Sequence, residues 1–191
     1  MRNIVHMANR ADVLAHVAHN LRFHRQAAGL SQAALASAAG ISRRMIVNVE
    51  GGDTNISLAS LDRLAEALNV TFVEMVRDPT GGDVDATDLN VLAWRGESED
   101  SVGRLLASVP ATQESQLWSW TLGPGDHYDA EPDPPGWWEM IVVATGELRI
   151  EFADHTAQLG PGEYLTFPSS QPYRYVNAAP MTTRFARSVV R

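Results

Sequence analysis

The chain has no cysteine, no lysine and no long apolar run. Without cysteine there can be no disulfide, no thiolate metal site and no thiol nucleophile. Without lysine, all fifteen fixed positive charges are arginines. No apolar stretch approaches the roughly 18 residues of a membrane span. The opening MRNIVHMANRADVLAH lacks the apolar core of a signal peptide. The cytoplasm is therefore the expected compartment, with no role for a membrane. Histidine is scarce after residue 79, where only His127 and His155 occur.

What is present divides the chain in two. Residues 1–78 carry eight Arg against seven acids, and residues 79–191 carry seven Arg against sixteen, so the halves stand at +1 and −9. Such acidity argues against non-specific attraction to nucleic acid but leaves room for a local basic surface on the first half. The break falls at Asp78-Pro79-Thr80-Gly81-Gly82-Asp83, a turn-forming cluster without apolar periodicity. We expect a helical domain over residues 10–78, a linker over 79–87 and a second domain over 88–191.

Residues 10–78 read as five short helices. Leu14, Val17, Ala18 and Leu21 recur at helical spacing until Gly29. Ser31 caps a second helix that Gly40 stops, and Ser42 caps a third that Gly51-Gly52 stop. Ser57 opens a fourth with Leu58, Leu61, Leu64, Ala65 and Leu68 on one face, and Thr71 to Glu74 forms a capping box for the fifth. Helices this short are stable only around a shared core. The stretch SQAALASAAGISRRMIVNVE has the small residue, tight turn and buried aliphatics of a helix-turn-helix. In its second helix Met45, Ile46 and Val49 face inward, and Arg43, Arg44, Val47 and Asn48 face outward as i,i+4 pairs. Arg and Asn carry the donors that match guanine and adenine edges in a major groove. Gln32 stands where it could reach a phosphate. Glu50 reads as a structural hydrogen-bonding residue at the helix end.

The run from Leu30 to Met75 resembles the XRE (lambda-repressor/Cro-like) helix-turn-helix family. The Ser31-Gln32 start, Gly40, Glu50-Gly51 and the leucine-rich fourth helix carry the likeness. The resemblance implies a double-stranded DNA operator as partner and Gln32, Ser42, Arg43, Arg44 and Asn48 as its contacts.

After residue 87 the periodicity alternates. Segments 89–94, 115–122, 138–144, 147–152, 165–167, 173–176 and 183–190 read as strands separated by Gly- and Pro-rich turns. Short strands at this spacing predict a sandwich or jelly-roll barrel. Glu139 followed by Gly146, and Gly162 followed by Pro168, Ser170, Tyr173 and Asn177, have the spacing of the two cupin motifs. Residues 110–191 are similar to cupins with one departure. Metal-binding cupins place two histidines shortly before the glutamate and a third at the Tyr173 position. Here Pro132-Asp133-Pro134-Pro135 and a phenol stand there. A divalent ion needs more ligands than Glu139 with Asp133 or His127 would supply. No cofactor and no enzymatic activity are therefore expected.

What remains is an aromatic pocket with one carboxylate: Trp118, Trp120, Asp133, Trp137, Glu139, Tyr173 and Tyr175. It suits a small molecule with an apolar body and a cationic or hydrogen-donating group. Alternatively the aromatics simply fill a core, with Arg149, Arg184 or Arg187 as the internal partner that a buried Glu139 requires. The expected class is α+β with two domains: an all-α five-helix domain, then an all-β cupin (jelly-roll) barrel. The expected protein is a bacterial homodimeric transcription regulator, by default a repressor, whose metal-free cupin senses a small-molecule effector. Its rivals are a metal-dependent cupin enzyme tethered to a DNA-binding domain and a ligand-independent dimeric repressor.

Overall fold

A computed structural model of the chain describes residues 10–52, 56–80, 88–111 and 114–190. Most of the expected linker, residues 81–87, lies outside them. The chain divides into two compact units, the helices in one and nearly all the strands in the other.

The helical unit contains α1 (Arg10–Ala27), α2 (Gln32–Ala38), α3 (Arg43–Gly51), α4 (Leu58–Leu68) and α5 (Phe72–Val76). Ser31, Ser42 and Ser57 each accept a hydrogen bond from the backbone N–H three residues on, satisfying a donor that the first turn leaves free. Thr71 and Glu74 close a reciprocal capping box on α5. Gly40 sits at φ +64° between α2 and α3, a conformation that a side chain would strain. The buried stripe of α1 is Val13, Val17 and Leu21, with Leu14 and Ala18 only half-buried. It is turned slightly from the spacing expected because Asn20 is also buried. The Asn20 amide donates to the carbonyls of Met75 (3.1 Å) and Arg77 (2.8 Å), which ties α1 to the end of α5. Leu21, Leu35, Ile46, Leu64, Phe72 and Met75 fill the shared core.

The second unit is built of strands: β1 (Val91–Arg95), β2 (Val102–Pro110), β3 (Glu114–Leu122), β4 (His127–Ala130), β5 (Trp138–Thr145), β6 (Leu148–Phe152), β7 (Thr156–Leu159), β8 (Tyr164–Pro168), β9 (Tyr173–Val176) and β10 (Thr183–Val190). They form a six-stranded sheet, β1-β2-β3-β10-β5-β8, and a four-stranded sheet, β4-β9-β6-β7. Among the described residues the two sheets do not share a hydrogen-bonded strand pair, so the jelly roll is a pair of facing sheets rather than a closed barrel. Inward-pointing side chains join them: the Trp120 ring on β3 meets Tyr175 on β9 at 5.9 Å and stacks on Phe185 of β10 at 6.0 Å. Gly146, at φ +78°, turns the chain between β5 and β6, and a Cβ there would lie 2.8 Å from the Thr183 Cα.

The strands β2, β4 and β7 are absent from the sequence reading. In β2 the register shifts between Leu105 and Ala107, so its alternation changes phase midway. His127 accordingly lies in a strand, while His155 sits in the turn between β6 and β7. Among the described residues no helix is long and apolar enough to cross a membrane.

Candidate functional site

Two arrangements carry chemistry, one in each unit. The first is the outer face of α3. Ile46 and Val49 are buried, whereas Ser42, Arg43, Arg44 and Val47 are exposed and Asn48 is half-buried. Beneath that face lies a network centred on Glu50, which is 5 % exposed. Arg25 clamps its carboxylate through Nε (2.5 Å) and Nη2 (3.0 Å), and the Gln32 amide donates to it at 3.0 Å. Arg22 donates to the Glu50 carbonyl at 3.2 Å. Burial alone would raise the Glu50 pKa, but hydrogen bonds from Arg25 and Gln32 and the charges of Arg25 and Arg22 outweigh it and hold it below its usual value. Glu50 therefore joins α1, α2 and α3. Of the expected DNA contacts, Ser42, Arg43, Arg44 and Asn48 lie together on α3. Gln32 lies on α2 with its side-chain amide directed to Glu50. The bracing by Arg22 and Arg25 was not read from the sequence, because helical periodicity gives no sign of which surface arginine bends back.

The second arrangement lies between the sheets. Trp137, Glu139, Ile141 and Val143 are all buried, as alternation along β5 requires. Glu139 is wholly buried and fully partnered. Tyr173 donates to its Oε1 at 2.5 Å, Tyr175 donates to Oε2, and Arg187 Nη1 lies 3.3 Å from Oε1. The register of β10 on β5 pairs Ile141 with Arg187 and Glu139 with Val189, so Glu139 and Arg187 are diagonal neighbours. The Arg187 guanidinium also lies over Trp118 (5.0 Å) and Trp120 (5.4 Å). Burial first, and then the Glu139 charge, raise both tyrosine pKa values well above normal, so the phenols remain protonated donors. Burial is the largest single influence and opposes the Arg187 charge, but Glu139 together with Tyr175, Tyr173 and Tyr128 outweighs it and raises the Arg187 pKa above its usual value.

Trp118, Trp120, Glu139, Tyr173 and Tyr175 are thus brought together. Asp133 and Trp137 are tied together through the Ser169 backbone: Asp133 N–H donates to the Ser169 carbonyl (3.0 Å) and Ser169 N–H to the Trp137 carbonyl (3.1 Å). Of the three arginines considered as internal partners, Arg187 takes the role. Arg149 pairs with Glu151 at 2.9 Å, and Arg184 is exposed. Two members of the aromatic wall were not anticipated: Tyr128, 4.7 Å from Trp120, and Trp94, 5.1 Å from Trp120. Buried within this wall, Trp120 Nε1 and Arg187 Nε have no hydrogen-bond partner among the described residues.

A cupin metal would have to bind Glu139, and the residues around that carboxylate do not fit one. Its neighbours are two hydroxyl donors and a guanidinium, which places a positive charge where a cation would sit. Among the described residues no cluster of three or more His, Asp or Glu could hold a metal ion.

Comparison with known proteins agrees with this division. Residues 21–75 match the helix-turn-helix family and residues 118–187 the cupin domain family. The HTH-type transcriptional regulator SutR of Escherichia coli (strain K12) is 25% identical over 161 residues, covering 84% of this chain and 86% of that protein. An HTH_3 family transcriptional regulator from Vibrio cholerae, known by its crystal structure, superposes with a TM-score of 0.71 at 21% identity, covering 96% of this chain and 99% of that one. The cupin domain of an XRE family regulator from Enterobacter cloacae aligns at 24% identity and a TM-score of 0.46, over 49% of this chain and 98% of that one. The chain thus joins an XRE-type helix-turn-helix domain to a C-terminal cupin domain.

Proposed function

We propose that the protein is a transcription regulator that reads double-stranded DNA with α3 and acts by binding, not by catalytic turnover. The observation that carries this reading is the separation of faces on α3. Ile46 and Val49 are locked inside, while Ser42, Arg43, Arg44 and Asn48 stand together on a helix braced through Glu50. Arginine can bond guanine O6 and N7 in pairs, and asparagine adenine N6 and N7. The rigid Glu50 network holds those donors in one orientation. The relatives' description as transcriptional regulators supports the same reading. It acts as a homodimer, since reading heads of this type bind paired half-sites about one DNA turn apart. Repression is the default sign.

In this proposal the cupin domain senses a small-molecule effector without a metal. Because Glu139 already holds three donors, the free hydrogen-bonding capacity belongs to donors, Trp120 Nε1 and Arg187 Nε. The fitting effector therefore has an apolar body and a hydrogen-bond acceptor, rather than the cationic or donor group first expected from a lone carboxylate. To act, it must favour one dimer geometry over another.

A second reading is favoured by the completeness of the Glu139 pairing: the cupin domain serves only to dimerise a ligand-independent repressor. Selection of bound sequences from random DNA, repeated with a metabolite extract, separates the two. A selected sequence whose affinity changes with extract in the native protein supports the sensor, and Arg187→Gln should abolish that change. An unchanged affinity supports the ligand-independent form. Failure to select any sequence sinks the regulator, and stoichiometric iron, manganese or zinc in purified protein sinks the metal-free cupin.

A further inference from the structure

Val47 stands on the outer face of α3 but has no hydrogen-bonding group to offer a base. It is 44% exposed, with Arg43 and Arg44 one turn before it and Asn48 beside it. A lone apolar side chain on a protein surface needs no explanation. This one differs in its surroundings and its rigidity. Ser42, Arg43, Arg44 and Asn48 bring hydrogen-bond donors to the face around it, and the helix's acid, Glu50, is buried and clamped by Arg25. The face is therefore basic, with an apolar point inside it. Ile46 and Val49 fix the backbone from the core, while Ser42 and Gly52 close the two helix ends. A valine in a helix is held to essentially one χ1 rotamer. The Val47 methyls thus project from a fixed point and lose little freedom on contact.

We propose that Val47 reads the C5-methyl of a thymine in the major groove. It is then a specificity-determining residue of the regulator reading, on which this assignment rests. Complementarity supports it. The groove presents hydrogen-bonding base edges, with the thymine methyl as their apolar feature. A guanine or adenine edge pressed against Val47 would give up water that valine cannot replace. Cytosine offers no methyl to bury, whereas methyl against methyl forfeits no hydrogen bond. Spacing then sets where the thymine lies. Arg44 and Val47 are three residues apart, about 4.5 Å along the helix, against about 3.4 Å between stacked base pairs. A guanine bonded by Arg44 and the thymine under Val47 fall within two base pairs of each other.

The test uses the full chain and the duplex it selects from random DNA. Each thymine is replaced in turn by deoxyuridine, which differs only in lacking the methyl. One replacement per half-site should weaken native binding about four-fold, the factor that burial of one methyl group supplies. The same replacement should leave binding by Val47→Ala unchanged, at circular dichroism equal to that of the native chain. Exchanging that T·A pair for C·G should also weaken the native chain. Placing 5-methylcytosine there restores the methyl alone and should recover part of the loss. Both measurements read the methyl group itself, which a merely structural role for Val47 would not alter. A deoxyuridine effect that persists in Val47→Ala, or a selected duplex in which no thymine methyl matters, overturns the assignment and leaves the regulator standing. A selection that returns no sequence overturns both.

Discussion

If Arg187 is replaced by Leu, Glu139 keeps two phenolic donors and loses the guanidinium that pairs with it in a fully buried site. Removing one member of a buried ion pair typically costs about 3–5 kcal/mol, because the other charge is left uncompensated. We expect a loss of that size for Arg187→Leu in chemical denaturation. Glu139→Gln added to it should restore much of the loss, since no bare charge then remains. Glu50 makes a different prediction. Its folded pKa lies below the unfolded value, so the unfolded chain binds more protons in the interval between them. The Glu50 contribution is therefore complete above the ordinary carboxylate range and is lost as pH falls through the lowered folded value. Melting of the helical unit followed against pH should show this acid loss, and Glu50→Gln should remove that part of the pH dependence.

At the scale of elements, α3 is where a substitution separates folding from reading. Arg43 and Arg44 are exposed and cap nothing, so Arg43→Ala or Arg44→Ala should leave thermal stability nearly unchanged. Each should weaken binding to a selected DNA sequence by about 1–3 kcal/mol where the arginine contacts a base, measured by titration at fixed salt. Unaltered binding by both would remove α3 as the reading element. The helices were readable in advance because serine caps, Gly40 and apolar spacing all point the same way at each boundary. The strands were less so. The phase change in β2 defeats a period-two pattern, and β4 and β7, four residues each, are too short to display one. Tyr128 was missed for that reason, since a side chain can be placed on a wall only once its strand is known, whereas Trp94 lies in a strand that was read but whose place beside β2 spacing alone does not give. Glu139 stood out from motif spacing, yet the choice among three arginines needed the register of β10 on β5.

Across the whole molecule, the two units were visible in the change from helical to alternating periodicity and in the charge split at Asp78-Pro79. What was not visible is that each central strand of the larger sheet has two occupations. Trp118 follows Leu117 on β3, Glu139 lies between Trp138 and Met140 on β5, and Arg187 precedes Ser188 on β10. On these three strands each buried member of the cluster has a neighbour in sequence on the outer face. A slip of β10 by one residue between its neighbours would therefore exchange Arg187 for Ser188, moving the guanidinium out to water and leaving Glu139 bare. The strand's outer residues Ala186, Ser188 and Val190, small and uncharged, would do little to resist such sliding. The buried ion pair thus acts as a register pin: whatever it contributes to net stability, it penalises every misaligned sheet and leaves one alignment to fold into.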